Sequence, residues 1–103
     1  METLAKLQEW YFAQCNEDWE HSYGVTIGTL DNPGWILTVD LTDTSLNGRA
    51  FPELKYGLDE AADESGDEWI HCQVKDDKFV AAGGPAKLQE LIDVFVAWAN
   101  ATA

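Results

Sequence analysis

Basic residues are scarce in this chain. Six Lys and Arg stand against 19 Asp and Glu, which gives a formal net charge of −13. Proteins that bind the nucleic-acid backbone need a basic surface, and so do proteins that bind anionic membranes. The charge balance therefore predicts that neither nucleic acid nor a membrane is a partner. A strongly acidic protein is attracted to basic protein surfaces, although the same charge also serves solubility alone.

Cysteine and long apolar runs are also scarce. The two cysteines, Cys15 and Cys72, form no C-x-x-C motif and no disulfide framework, which is typical of reduced thiols in cytosolic proteins. The first seven residues lack the basic and apolar regions of a secretory signal, and no stretch reaches the roughly 20 apolar residues of a membrane span. We therefore expect a cytoplasmic protein. The length of 103 residues predicts one domain, over residues 1–103.

Helical spacing of apolar residues occurs at both ends of the chain. The residues that carry it are Leu4, Leu7, Tyr11 and Cys15 at the start, and Leu88, Leu91, Ile92, Phe95 and Trp98 at the end. Pro85 is suited to the first turn of the last helix. The pattern predicts two amphipathic helices, each with one face buried.

Alternating apolar residues between these helices predict strands. The runs 23–27 and 35–41 flank the turn signal Asp31-Asn-Pro-Gly34 and predict an antiparallel hairpin. Three further strands are predicted over 51–56, 69–74 and 79–82. Short turns between sequential strands cannot hold parallel crossovers. The predicted fold class is therefore α+β, an antiparallel sheet of about five strands with the N- and C-terminal helices packed on it.

Glu17, Asp18, Glu20 and His21 crowd the link between the first helix and the hairpin. Carboxylates and imidazole are ligands for zinc or manganese, but this spacing matches no recognised site and no second cluster completes it. We therefore expect no bound metal. The same cluster together with Cys15 is a candidate active site for a small enzyme. Acidic surroundings weaken a thiol as a nucleophile, which favours a protein with no catalytic residues and no cofactor.

Two acidic segments are candidate contact surfaces for a partner. The first is the connection Glu17, Asp18, Trp19 and Glu20, in which we expect Trp19 to be a partly exposed anchor, because Trp is favoured at binding hot spots. The second is the acidic loop, which contains Asp59, Glu60, Asp63, Glu64, Asp67 and Glu68. We expect the connection to supply affinity and the loop to steer the encounter. For the loop, the alternative is a solvated surface without a partner. For the connection, the alternative is a structural role in which Asp18 or Glu20 hydrogen-bonds local backbone and holds the hairpin.

Several strings in the chain resemble the immunity protein 53 family of bacterial proteins. They are Trp10-Tyr11, the run Cys15-Asn-Glu-Asp-Trp-Glu-His21, the turn Thr29-Leu-Asp-Asn-Pro-Gly-Trp35, and Ala82-Gly-Gly-Pro85 ahead of a Leu-rich helix. The strings are specific in combination and weak singly. The resemblance extends from Leu7 to Ala99, and the acidic loop matches no motif of the family.

The resemblance implies that the protein binds and neutralises the C-terminal domain of a cognate toxin, in a polymorphic or contact-dependent toxin system. It does not settle the class of toxin. A nuclease is one candidate, because a nuclease carries a basic surface that would attract this acidic chain. The alternative is a sulfurtransferase- or hydrolase-like enzyme, but neither cysteine lies in the loop of a rhodanese active site.

Overall fold

The computed structural model describes residues 2–31, 33–57 and 68–101. Its elements are, in chain order, α1 (Glu2–Gln14), α2 (Trp19–Ser22), β1 (Val25–Leu30), β2 (Gly34–Asp40), β3 (Leu54–Tyr56), β4 (Ile70–Lys75), β5 (Lys78–Gly83) and α3 (Leu88–Ala99). No helix within those three ranges is both long and apolar enough to cross a membrane.

The five strands form one sheet in the order β1-β2-β5-β4-β3. Every neighbouring pair is antiparallel. The sequence-based prediction of an α+β fold, with an antiparallel sheet of about five strands and a helix from each end of the chain, is confirmed. The predicted antiparallel hairpin of the first two strands is confirmed, with Leu30 paired to Gly34 at its end.

The core lies between the sheet and α3, which contacts β2, β4 and β5. Alternate side chains of the three central strands point toward the helix and are fully buried, as the period of two in a strand requires. They are Leu37, Val39, Ile70, Cys72, Phe79 and Ala81. The predicted stripe of α3 meets them, and the rings of Phe79 and Phe95 lie 5.1 Å apart.

α1 packs on α3 and leaves much of its predicted apolar stripe accessible. Leu7 is buried, and the ring of Trp10 meets Phe95 edge to face at 4.9 Å. Leu4 and Tyr11 are exposed, contrary to the expectation that the whole stripe is core. The reason is that α1 contacts a neighbouring helix along a narrow line, which buries fewer positions than packing across a sheet does.

The start of the last helix also differs from the sequence-based prediction. α3 begins at Leu88, and Pro85 lies in the turn before it, where the Lys87 amide donates to the Gly84 carbonyl at 3.1 Å. The Pro85 carbonyl accepts a hydrogen bond from Trp35 Nε1 at 2.9 Å. Proline therefore helps to join the sheet to the helix without itself being in the first helical turn.

Candidate functional site

The connection between α1 and β1 is held by its own polar side chains. Asn16 Oδ1 accepts from the backbone amides of Asp18 and Trp19 at 3.0 and 2.8 Å. The Glu20 carboxylate accepts from the amides of Asn16 and Glu17, each at 2.9 Å. Backbone amides, that of Glu20 itself foremost, lower the pKa of the Glu20 carboxyl. Glu20 therefore stabilises the backbone of the connection just before the short helix α2. This helix was not predicted from the sequence.

Trp19 is buried, with 4% of its surface exposed. Its indole Nε1 donates to the Thr42 carbonyl at 2.8 Å, and its ring lies 6.1–6.3 Å from those of Trp10, Tyr11 and Tyr23. The expectation of a partly exposed anchor is wrong for the free protein. Its polar neighbours in sequence suggested exposure, but α2 turns the indole inward while Glu17 and Asp18 stay in solvent.

The fold adds three more exposed carboxylates to Glu17 and Asp18. The hydrogen bond from Trp19 to Thr42 places the connection beside Asp43. The Leu41 amide donates to the Asp77 carbonyl at 2.9 Å, which places the β4–β5 turn beside the same segment. We call the resulting surface the acidic end; it consists of Glu17, Asp18, Asp43, Asp76 and Asp77, all exposed.

Four residues of the acidic end have a left-handed backbone. Their φ angles are 73° at Glu17, 63° at Asp43, 55° at Asp76 and 62° at Asp77, and no other non-glycine residue in the described ranges has a positive φ. Such a backbone is uncommon for residues other than glycine, although Asp and Asn tolerate it better than most. Asp76 and Asp77 form the two-residue loop between the paired residues Lys75 and Lys78, where both central φ angles are positive and Asn-Gly is the usual choice.

Asp43, Asp76 and Asp77 were not predicted from the sequence to lie beside the connection. Asp76 and Asp77 lie in the short connection between the strands predicted over 69–74 and 79–82, and no further role was expected of them. One signal in the sequence could have pointed to these residues. A two-residue hairpin loop usually contains Asn-Gly, which adopts the required positive φ angles more easily than the Asp-Asp pair found here. The contacts that bring these segments together, from Trp19 to Thr42 and from Leu41 to Asp77, depend on the tertiary fold, which a single sequence does not reveal.

The described part of the acidic loop lies at the opposite end of the sheet. Asp59, Glu60, Asp63, Glu64 and Asp67 lie outside the described residues, and Glu68 is the part of this predicted surface that the structure shows. Glu68 pairs with Lys87 at 2.8 Å and precedes β4 at Ile70, whereas the acidic end lies beyond the other terminus of β4, at Lys75. A strand of this length separates the two by about 17 Å.

Among the described residues, the two cysteines and His71 lie in separate environments. Cys72 is fully buried, and burial raises the pKa of its thiol to about 12. Cys15 Sγ donates to the Tyr11 carbonyl at 3.4 Å, and His71 pairs with Glu53. Over the part of the chain that the structure describes, no group of three or more His, Cys, Asp or Glu is placed to hold a metal ion.

Comparison with known proteins identifies a family that matches most of the chain. No curated protein and no solved structure shows significant similarity to the chain. Residues 4–100, nearly the whole chain, match the model of a family described as immunity protein 53. The chain therefore belongs to the immunity protein 53 family.

Proposed function

We propose that this protein is a stoichiometric inhibitor that binds and neutralises a cognate bacterial toxin domain. The observation that carries the proposal is the family match over residues 4–100, because an immunity protein protects its cell from a toxin. The partner is the C-terminal domain of a toxin of a polymorphic or contact-dependent system. The site of action is the cytoplasm of the protected cell.

The charge distribution supports a partner with a basic surface. The chain carries a formal charge of −13, and the acidic end gathers five exposed carboxylates within one surface. Opposite charge accelerates the encounter of two proteins and suppresses wrong partners. A nuclease toxin fits this requirement, since it binds a polyanion through basic residues. The same charge argues against nucleic acid and anionic membranes as partners.

The contact surface that we propose combines the acidic end with the connection that the sequence analysis selected. Glu17 and Asp18 are accessible for direct contact, whereas Trp19 and Glu20 act by fixing the backbone that presents them. The acidic loop, through Asp59, Glu60, Asp63, Glu64, Asp67 and Glu68, contributes to long-range attraction. Rim charges of this kind act mainly on the association rate.

The alternative function is a small enzyme that uses Cys15 with the Glu17–His21 cluster. Catalysis by a thiol needs a base within hydrogen-bond reach. Cys15 Sγ instead contacts the Tyr11 carbonyl, and both oxygens of Glu20 are engaged by backbone amides. These contacts favour a binding protein over an enzyme.

Replacing Cys15 by alanine is expected to leave protection intact. Cys15→Ala, His21→Ala and the double variant would be produced together with the toxin domain encoded beside this gene, and cell survival would be measured. The matched control is Ser22→Ala, which changes an exposed residue next to His21 in α2. Survival equal to that with the unaltered chain at equal protein level is the expected result. Loss of protection in a soluble, folded Cys15→Ala variant would favour the enzyme.

A further inference from the structure

β1 is an edge strand that is not protected in the usual way. It pairs only with β2 among the described residues, and its sequence Val25-Thr-Ile-Gly-Thr-Leu30 contains neither charge nor proline. Natural edge strands are normally kept short or carry Lys, Pro or a bulge that discourages pairing with another chain. The other edge follows that rule, since β3 has three residues and contains Lys55. In a chain with 24% charged residues, an uncharged six-residue edge is a distinctive surface.

The hydrogen-bonding direction of β1 follows from its first pair. The Gly24 carbonyl accepts from the Asp40 amide at 3.0 Å, and the register continues through Val25 opposite Val39. In an antiparallel ladder, residues alternate between those that bond to the partner strand and those that point their N–H and C=O away. Thr26, Gly28 and Leu30 therefore bond to β2. The backbone groups of Val25, Ile27 and Thr29 point out of the sheet.

An apolar groove runs beside the start of this edge. It has a volume of about 280 Å³ and is lined by Leu7, Gln8, Tyr11, Gly24 and Val25. Ile27, on the same face of the strand, is 41% exposed. An extended chain paired with β1 would direct alternate side chains into this groove, so main-chain pairing and apolar contact would occur together.

The charge near β1 indicates what kind of chain pairs with this edge strand. A second copy of this chain would bring another −13 charges to the same surface, which opposes self-pairing. β1 starts beside the acidic end, because the Gly24 amide donates to Asp40 Oδ2 at 3.0 Å, and Asp40, the last residue of β2, is three residues before Asp43. The matching partner is an extended segment with alternating apolar residues and with Lys or Arg where it passes the acidic end.

From this combination we infer that β1 is the docking edge for an extended segment of the cognate toxin, which adds a sixth strand to the sheet. The inference rests on the proposed function and specifies the surface that performs it. Backbone pairing along β1 supplies affinity, the groove selects an apolar side chain, and the acidic end selects basic residues at one end of the segment.

Residue-resolved amide hydrogen exchange tests the inference directly. The probe is the toxin domain encoded beside this gene, inactivated at its own active site and bound to the full-length chain. The amides of Val25, Ile27 and Thr29 are expected to exchange at least about tenfold more slowly in the complex than in the free protein. Those of Thr26, Gly28 and Leu30, already bonded to β2, serve as controls within the same strand and are expected to change far less.

Two variants at one position separate backbone pairing from side-chain contact. Ile27→Pro removes an outward N–H that β2 does not use, and proline is tolerated at such edge positions. Ile27→Thr retains the N–H and the β-branched shape. The proline variant is expected to bind at least about tenfold more weakly than the threonine variant, with circular dichroism confirming that both are folded.

The outcomes distinguish this inference from the function on which it rests. A complex in which the amides of Val25, Ile27 and Thr29 keep their free exchange rates would overturn the edge assignment and leave the inhibitor function standing. Failure of the unaltered chain to bind the toxin domain would overturn both. Concentration-dependent protection of the same amides without toxin, with a dimer mass by light scattering, would assign the edge to a second copy and overturn the proposed occupant.

Discussion

Trp19→Ala is expected to lower the free energy of unfolding by about 3–5 kcal/mol, the usual cost of removing a buried tryptophan side chain. The indole is 4% exposed and touches three other aromatic rings, so its removal leaves a cavity that those rings cannot fill without moving. It also leaves the Thr42 carbonyl without its donor. Domains of this size are stable by only about 5–15 kcal/mol, so the variant is expected to be marginal at growth temperature.

Two further variants make the Trp19→Ala result interpretable. Trp19→Phe retains an aromatic ring but loses the N–H. We expect its free energy of unfolding to fall by about 1–2 kcal/mol, because the hydrogen bond is lost and the carbonyl is left unpaired. Asp18→Ala changes an exposed residue one position away and is expected to stay within about 0.5 kcal/mol of the unaltered protein. Urea unfolding of the three variants measures all these values. A cost below about 1 kcal/mol for Trp19→Ala would show that the indole is not buried in solution.

Neutralising the acidic end is expected to slow association with the toxin by about tenfold or more at low ionic strength. The variant carries Glu17→Asn, Asp18→Asn, Asp43→Asn, Asp76→Asn and Asp77→Gly. Asn and Gly are chosen because they accept a left-handed backbone, so charge is removed without adding strain at the four positive φ angles. Dissociation is expected to change much less, because exposed charges act chiefly before contact is made.

A matched variant in the acidic loop isolates the position of the charges from their total number. Asp59→Asn, Glu60→Gln, Asp63→Asn, Glu64→Gln and Asp67→Asn remove the same number of charges from the acidic loop. Stopped-flow association rates for both variants would be measured across a salt series. We expect the larger loss for the acidic end and convergence of all rates near 1 M salt, where the screening length is about 3 Å. Equal losses for the two variants would show that net charge alone steers the encounter.

The fold was predictable from the sequence because its signals are local. The alternation in residues 35–41, the turn signal in the sequence of residues 31–34 and the helical stripe that ends at Trp98 each specify an element. Short connections between the strands then require an antiparallel sheet. The orientation of Trp19 was not predictable in this way. Its neighbours are charged, yet a hydrogen bond to Thr42, 23 residues away, places the ring in the interior.

The candidate surface was predictable only in part. Glu17 and Asp18 stood out as a local acidic run, but Asp43, Asp76 and Asp77 join them through contacts between segments far apart in sequence. The free edge of β1 likewise depends on the order β1-β2-β5-β4-β3, which places the first hairpin at the border of the sheet. Local patterns determine which residues form a strand, but they say little about which strand lies at the edge of the sheet with one side unpaired.

Titrating a fixed amount of active toxin domain with the purified chain tests the central claim most directly. A stoichiometric inhibitor is expected to reduce toxin activity linearly to an end point at an equimolar ratio, and denaturation and refolding of the separated toxin should return it active and with unaltered mass. Time-dependent inactivation by substoichiometric chain, or a toxin of changed mass, would show that the protein acts as an enzyme and would contradict the account.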